Sequence, residues 1–201
     1  TYRIFKSLKD NLLYSLTFLI LLCFYSSGFS YDKPSELVNK FHESLKESNI
    51  SDKDKQEKKA LLKQIVAETF NYSKMIKFIY GRGWKNLNSE LRTKLEETFL
   101  NFISFNYVQR FNGIEGLDFK YNETTELEDG KIIVETLLIA SDNEPIKINY
   151  LLEQTNMKWQ IFDILLTGSI SEIATKKSEF FNIIKNSGAE GLIDRINQKI
   201  D

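Results

Sequence analysis

The spacing of apolar residues changes twice along this chain, and these changes are the strongest constraint on its fold. Between residues 34 and 113, apolar side chains recur every three or four positions, which predicts helices. Between residues 117 and 166 they alternate with polar ones, which predicts strands. After Gly168 the helical spacing returns. The chain is therefore predicted to place its strands between two groups of helices.

Three helices are predicted before the first strand. The first begins at Pro34, a residue that suits the first turn of a helix, and ends before the polar run that starts at Glu47. The second spans 61–80 and stops at a glycine-rich break. The third spans 88–113, and the asparagine or the serine at its start can cap it.

Two helices are predicted after the strands. Ser169 and Glu172 have the spacing of a capping box, and the helix that they begin runs to Gly188. Ser187 and Glu190 repeat this spacing, which predicts a separate last helix.

Four strands are predicted between these helices, at 117–122, 131–139, 145–153 and 157–166, with turns of hairpin length between the last three. Connections this short join antiparallel neighbours, so the strands should form a four-stranded antiparallel meander. Helices grouped around one antiparallel sheet define an α+β domain.

The first 30 residues have the pattern of a signal peptide. Basic residues at 3, 6 and 9 precede an apolar run at 12–25, and small residues follow it. A single transmembrane anchor is the alternative, but these 14 residues fall short of the roughly 20 that span a bilayer. We expect export to the periplasm and cleavage before Tyr31, which leaves a single domain at 31–201. The one cysteine, Cys23, lies in the removed segment, so no disulfide is expected.

The sequence lacks the motifs of common catalytic and nucleotide-binding sites. No glycine-rich phosphate loop, zinc-ligand spacing or calcium loop is present, so we expect no metal ion or cofactor. A formal net charge of −1 argues against a nucleic-acid partner, which needs a clustered basic surface. His42 is the only histidine, and we expect it at an exposed or boundary position of the first helix.

Asp163 is the most unusual polar residue, because it stands in a strand end, 162–166, that is otherwise apolar on both faces. A desolvated carboxylate there could act as a general base. Alternatively, it accepts hydrogen bonds from nearby backbone, Ser169 or Ser171. A strand end with two apolar faces must be shielded from water on both faces. One face could be covered by packed side chains and the other could line a ligand cavity.

Four segments carry a likeness to a known family: WQIFD at 159–163, TGSIS at 167–171, KSEF at 177–180 and GAEGLI at 188–193. Together they resemble the MlaC, or toluene-tolerance, family of periplasmic phospholipid-binding proteins. The chain departs from the family's usual pattern at two positions: Lys177, where arginine is common, and Thr167, where a glutamate or a similar polar residue is common. A lysine does not make the bidentate phosphate contact that an arginine makes.

The resemblance implies a nuclear-transport-factor-like fold in which a curved antiparallel sheet and helices hold two acyl chains in an enclosed apolar cavity. It implies a carrier that moves phospholipid between an outer-membrane lipoprotein–porin complex and an inner-membrane ABC transporter complex with a membrane-anchored, lipid-binding subunit. Such transport would maintain the lipid asymmetry of the outer membrane, with phospholipid as cargo. Two alternatives stay open: a small enzyme of the same fold type with Asp163 as general base, and a periplasmic chaperone.

The helix and strand periods predict which residues would bind the lipid. A shift of one residue in a strand's register would invert the face on which its side chains lie. The predicted cavity wall consists of Phe99, Phe102, Tyr107, Tyr121, Val134, Leu137, Tyr150, Leu152 and Phe162.

Overall fold

The structure is a computed structural model that describes residues 33–141 and 143–200. The signal-peptide prediction for residues 1–30 and the cleavage before Tyr31 lie outside these residues and stay predictions, as does the domain boundary. Within the described part of the chain, no helix has both the length and the apolar character needed to cross a membrane.

Five α-helices occur in the described residues, with a short 3-10 segment, Gly81–Asn86, between the third and the fourth. They are α1 (Pro34–Ile50), α2 (Lys55–Thr69), α3 (Tyr72–Tyr80), α4 (Ser89–Arg110) and α5 (Glu172–Ile200).

The predicted helix at 61–80 is two helices, α2 and α3. Phe70 interrupts it with an extended backbone (φ −106°, ψ 144°) and forms a parallel bridge with Ile161 of the sheet. The Asn71 N–H donates to the Ile161 carbonyl at 2.9 Å. Helix α2 also starts earlier than predicted, because Asp54 and Glu57 form a capping box inside the polar run.

The strands form one antiparallel sheet in which neighbours in sequence are neighbours in space. The sheet has five strands, not the four predicted, because residues 170–171 pair with the end of the fourth strand. The α+β prediction is confirmed. The strands are β1 (Asp118–Glu126), β2 (Ile132–Ile139), β3 (Ile146–Thr155), β4 (Lys158–Leu166) and β5 (Ile170–Ser171).

Two β-bulges change the register of this sheet. Asn122 of β1 has no cross-strand partner, since Tyr121 and Glu123 pair with consecutive residues of β2. Phe162 of β4 is likewise unpaired, because its two neighbours pair with consecutive residues of β3. A bulge bends its strand and increases the local twist, so the sheet is bent at these two positions.

Helix α5 begins and bends where the sequence contains specific signals. The predicted capping box at Ser169 is wrong: the Ser171 Oγ accepts from the Ala174 N–H at 3.0 Å and caps the helix instead. Gly188 interrupts the helix with φ 62° and ψ −152°, a backbone conformation that is essentially restricted to glycine. The break between the two predicted helices therefore lies at Gly188.

The core lies between the helices and one face of the sheet. Each layer contributes side chains with no more than 1% exposure, among them Phe41 of α1, Leu62 of α2, Leu95 of α4, Leu152 of β3 and Leu192 of α5. Burying each of these side chains stabilises the fold by about 1.5 to 3 kcal/mol.

Candidate functional site: an apolar cavity with a charged mouth

A cavity of about 360 Å³ lies between the helices and the sheet. Its wall is mostly apolar because several elements turn their apolar faces toward it. On α4 the lining residues are spaced by three, one, three, one and three positions, which places them on one helical face. On β3 they occupy every second position. The strands and α4 supply Phe99, Phe102, Ile103, Tyr107, Leu138, Ile146, Ile148, Tyr150, Ile164 and Leu166.

Aromatic rings pack together on one side of this cavity. The Phe41 ring meets the rings of Phe70 and Tyr107 edge-on, each at a centroid distance of 5.0 Å. Tyr107 in turn packs against Phe111 at 5.9 Å. Except for Phe41, these rings line the cavity. Edge-to-face pairs of this kind fix ring orientation and contribute about 0.5 to 1.5 kcal/mol each beyond their burial.

His42 lies behind this wall and is buried, contrary to the predicted exposed or boundary position. Its Nε2 and the Tyr150 hydroxyl oxygen are 2.8 Å apart, and its ring stacks on Phe119 at 3.9 Å. Burial, with a smaller effect from the charge of Lys46, lowers the pKa of His42 to about 3. The ring is therefore neutral at ordinary pH and holds the Tyr150 side chain in the cavity wall.

Polar side chains cluster at one end of the cavity, which we call the charged mouth: Asn106 and Arg110 of α4, and Glu172 and Lys176 of α5. Each pair is four residues apart and so lies on one helical face. Arg110 Nη1 and Glu172 Oε1 are 3.6 Å apart and join the two helices. The Arg110 side chain is 49% exposed, so this end of the cavity reaches solvent.

Asp163 lies outside the cavity lining and ties β4 to the start of α5. Its Oδ1 accepts from the N–H groups of Ile164 at 2.8 Å and of Ile173 at 3.1 Å. Its Oδ2 accepts from the Ser171 hydroxyl at 2.5 Å. Of the two serines considered, Ser171 is therefore the partner. A carboxylate with both oxygens engaged in this way has the geometry of a structural hydrogen-bond acceptor.

No group of three or more histidine, cysteine, aspartate or glutamate residues in the described part of the chain is placed to hold a metal ion.

The model of the family described as "MlaC protein" matches residues 35–198 of this chain. The chain belongs to the MlaC family. A phospholipid-binding protein from Ralstonia solanacearum, solved in complex with a phospholipid, has the same fold with a TM-score of 0.69 at 18% identity. The match covers 81% of this chain and 94% of that protein. No curated protein is similar enough in sequence to count as a match.

In this MlaC-family chain, four of the nine residues predicted to bind lipid line the cavity. They are Phe99, Phe102, Tyr107 and Tyr150. Their contact with lipid stays a prediction. Val134 and Leu152 are completely buried on the helix-facing side of the sheet, where they pack in the core and not along the cavity.

The other three predicted residues lie away from the cavity lining. Leu137 pairs with Lys147, on the face of the sheet opposite the cavity. Tyr121 is 59% exposed. Phe162 occupies the β4 bulge, and its ring meets the Phe78 ring of α3 at 6.1 Å. These placements follow from strand register, which the sequence pattern does not fix.

The charged mouth was not predicted, although part of it had a signal in the sequence. Continuing the helical face of Phe99 along α4 leads to Asn106 and Arg110. No comparable signal indicates Lys176. Lys177 stands where the MlaC family commonly has an arginine, and it is not part of the cavity lining. Its Nζ lies 4.8 Å from the centre of the Phe78 ring.

Proposed function

We propose that this protein binds a phospholipid with its acyl chains in the apolar cavity and its headgroup at the charged mouth, and that it carries the lipid through the periplasm. The observation that carries this proposal is the combination of an apolar wall with one charged, solvent-reaching end. A phospholipid has the same division between apolar chains and a polar headgroup. Membership of the MlaC family and the fold shared with a phospholipid-binding protein support it.

The cavity's volume constrains how such a lipid would fit. Taking a methylene group to need roughly the 30 Å³ that a water molecule occupies in the liquid, 360 Å³ accommodates about twelve methylenes. A two-chain phospholipid has about thirty, so the helices would have to move apart from the sheet to admit both chains.

The energetics favour transfer between membranes over capture from water. Burying about thirty methylenes at ~0.8 kcal/mol each is worth on the order of 25 kcal/mol relative to water. Relative to a bilayer, which is equally apolar, most of this term cancels. The direction of net transfer would then be set by partner complexes. We propose the outer-membrane lipoprotein–porin complex and the inner-membrane ABC transporter complex as these partners, with outer-membrane lipid asymmetry as the result.

Two measurements test the proposal. Native mass spectrometry of the purified protein should detect one bound phospholipid, or should do so after the delipidated protein is incubated with phospholipid vesicles. Labelled lipid should then move from membranes that hold one complex to membranes that hold the other only when the protein is present. A protein that stays empty in the first experiment would overturn the binding proposal, and equal transfer without the protein would overturn the carrier proposal.

A further inference from the structure

The outer face of helices α3 and α5 combines exposed aromatic rings with lysines. Each helix turns its inner face toward the cavity, where Met75 and Ile79 of α3 and Ile173 of α5 belong to the lining. The opposite face of each helix is exposed to solvent. Its side chains, with one ring of β4 at their border, form what we call the aromatic–basic surface: Lys74, Lys77, Phe78, Phe162, Lys177 and Phe181.

The side chains of this surface contact one another across three elements. The Phe78 ring is 52% exposed and meets the Phe162 ring edge-on at 6.1 Å. The Lys177 Nζ lies 4.8 Å from the centre of the Phe78 ring, and the Lys74 Nζ lies 4.7 Å from the centre of the Phe162 ring. Phe181 is 58% exposed and lies four residues after Lys177, on the same face of α5. Contiguous apolar groups exposed in this way mark a surface for interaction.

The charge of this region differs from that of the whole chain. Segments 72–87 and 172–188 carry seven basic and two acidic residues, whereas the chain as a whole has 27 basic and 28 acidic ones. Segment 72–87, which contains α3 and the 3-10 segment, has no acidic residue at all. Its four basic residues are exposed: Lys74, Lys77, Arg82 and Lys85. Positive charge is therefore concentrated on the outside of this wall of the cavity.

The acidic residues around this surface do not cancel its charge, because they are already paired with basic ones. Three ion pairs or networks account for them: Glu153 with Lys74, Glu172 with Arg110, and Glu179 with Lys176 and Lys199. Beyond Gly188, α5 carries two acidic and two basic residues up to Ile200 and so adds no net charge. Charges farther away than about 10 Å are largely screened at 0.1 M salt.

This combination of side chains matches the surface of an anionic bilayer. At the boundary between headgroups and acyl chains, phenylalanine rings bury in the apolar layer, and lysines bury their stems while their ammonium groups reach the lipid phosphates. Basic residues near such a surface are attracted to its anionic lipids. The position of the surface favours a bilayer over an acidic protein, because the same two helices line the cavity with their inner faces.

We propose that the aromatic–basic surface docks the protein directly on an anionic phospholipid bilayer. Phe78 and Phe181 insert at the level of the headgroups, and the lysines beside them bind lipid phosphates. Docking places one wall of the cavity against the bilayer, so that a lipid would enter or leave without crossing water. This inference goes beyond the proposed function, in which partner complexes pass the lipid, because it concerns protein bound to membrane and not lipid bound to protein.

Vesicle flotation tests the inference. The protein is mixed with vesicles of phosphatidylcholine alone, or of phosphatidylcholine and phosphatidylglycerol in equal amounts, and the fraction of protein that floats with them is measured. We expect binding to the anionic vesicles at low salt, binding to the neutral vesicles weaker by about tenfold or more, and loss of binding when the salt concentration is raised to about 0.5 M. Equal binding to both kinds of vesicle would overturn the inference.

Two pairs of substitutions separate this surface from the charge of the whole protein. Lys77→Gln together with Lys177→Gln should lower the vesicle partition coefficient on the order of 25-fold, because each basic residue near an anionic surface contributes about fivefold. Lys120→Gln together with Lys147→Gln is the matched control. These two lysines are exposed and both pair with Leu137, on the sheet face opposite the cavity, so the partition coefficient should change less than about twofold. An equal loss in the control pair would overturn the inference.

Substitution of an exposed ring tests the apolar part of the contact. Phe181→Ser should lower the partition coefficient on the order of fivefold, because less apolar surface enters the bilayer. Its Tm should stay close to that of the wild-type protein, since the side chain is 58% exposed. An unchanged partition coefficient in this variant would show that the rings do not insert.

A cavity variant separates docking from cargo binding. Ile164→Trp places a large side chain in the cavity and should float like the wild-type protein, because docking needs only the outer surface. Loss of flotation in this variant, with its circular dichroism spectrum unchanged, would show that vesicles are captured through cargo binding and would overturn the docking.

Failure of this inference and failure of the proposed function give different results. A wild-type protein that does not float with anionic vesicles, but binds phospholipid in native mass spectra, would overturn docking and leave the carrier function in place. If the substitutions at Lys77 and Lys177 then still slowed transfer between the two membrane complexes, the surface would belong to an acidic protein partner. A protein that floats but never holds a lipid would overturn the proposed function and leave docking in place.

Discussion

The replacement Asp163→Asn tests whether this carboxylate is structural, as its hydrogen bonds indicate, or catalytic. Asparagine keeps the size and one carbonyl oxygen, which can still accept from the N–H groups of Ile164 and Ile173. It replaces the oxygen that accepts from Ser171 with an amide nitrogen, which is only a donor. The Ser171 hydroxyl therefore loses its acceptor, and the two remaining bonds lose the assistance of the charge.

The expected loss of stability follows from these three bonds. Hydrogen bonds to a charged group contribute about 1.5 to 3 kcal/mol each, and neutral ones about 0.5 to 1.5 kcal/mol. Part of this loss is recovered when the hydroxyl rotates to a new acceptor. We expect Asp163→Asn to lower the free energy of unfolding by about 2 kcal/mol. For a chain of this size that corresponds to a Tm lower by roughly 4 to 8 °C. Asp163→Ala should cost more, because it leaves two buried N–H groups unpaired.

Thermal unfolding of delipidated protein, followed by circular dichroism, measures this effect without the added stability that bound lipid confers. Asp194→Asn, at an exposed position of α5, is the control and should leave Tm unchanged. Both variants should still bind phospholipid wherever they are folded. If Asp163→Asn were as stable as the wild-type protein, or more stable, the structural role would be refuted, because a buried carboxylate without partners is destabilising.

Three further predictions concern the histidine, the cavity and the kink in α5. The free energy of unfolding should fall as pH drops from 6.5 toward 3, by up to ~1.4 kcal/mol per pH unit. In this range the unfolded chain binds a proton at His42, whereas the buried ring, with its pKa of about 3, stays neutral. His42→Phe should remove this part of the slope in urea unfolding curves measured across that range. Ile164→Trp should fill the cavity and lower phospholipid occupancy several-fold in native mass spectra. The control, Leu165→Trp, lies next to it on the opposite face of the sheet and should leave occupancy unchanged. Equal occupancy in the two variants would show that the lipid binds elsewhere. Gly188→Ala should lower the free energy of unfolding by about 1 to 3 kcal/mol through backbone strain alone, since an added Cβ meets no atom within 4 Å. Asn186→Ala is the control for this last change, and an unaltered Tm for Gly188→Ala would show that the kink is not required.

The order of helices and strands was predictable because it depends on local signals. Apolar spacing sets the period of each segment, and the asparagine before α4 caps it as expected, since its side chain accepts from the Leu91 N–H at 2.8 Å. Short turns then determine that neighbouring strands are antiparallel. These signals come from residues only a few positions apart, so a single sequence is enough to recognise them.

Features that depend on distant partners were not predictable in this way. The break between α2 and α3 exists because Phe70 pairs with Ile161, which lies 91 positions further along the chain. His42 is buried because Tyr150, 108 positions away, provides its hydrogen bond. The charged mouth forms where the end of α4 meets the start of α5. In each case tertiary contact decides the environment of a residue whose local sequence is ambiguous.

The bulge at Phe162 explains why Phe162 lies away from the cavity lining and where Asp163 lies. In a regular strand, Ile161 and Ile164 would face opposite sides, because they are three residues apart. The extra residue restores them to the same side: Ile161 pairs with Leu152, and Ile164 pairs with Tyr150, both on the helix-facing surface.

Asp163, between them, then pairs with Leu151 on the other face, where it can reach Ser171 at the start of α5. One inserted residue thus lets one face of a single strand end cover the core and the cavity, while the other face carries the carboxylate that binds the start of α5. That helix carries Glu172 and Lys176, so the same anchor holds the charged mouth in position over the cavity.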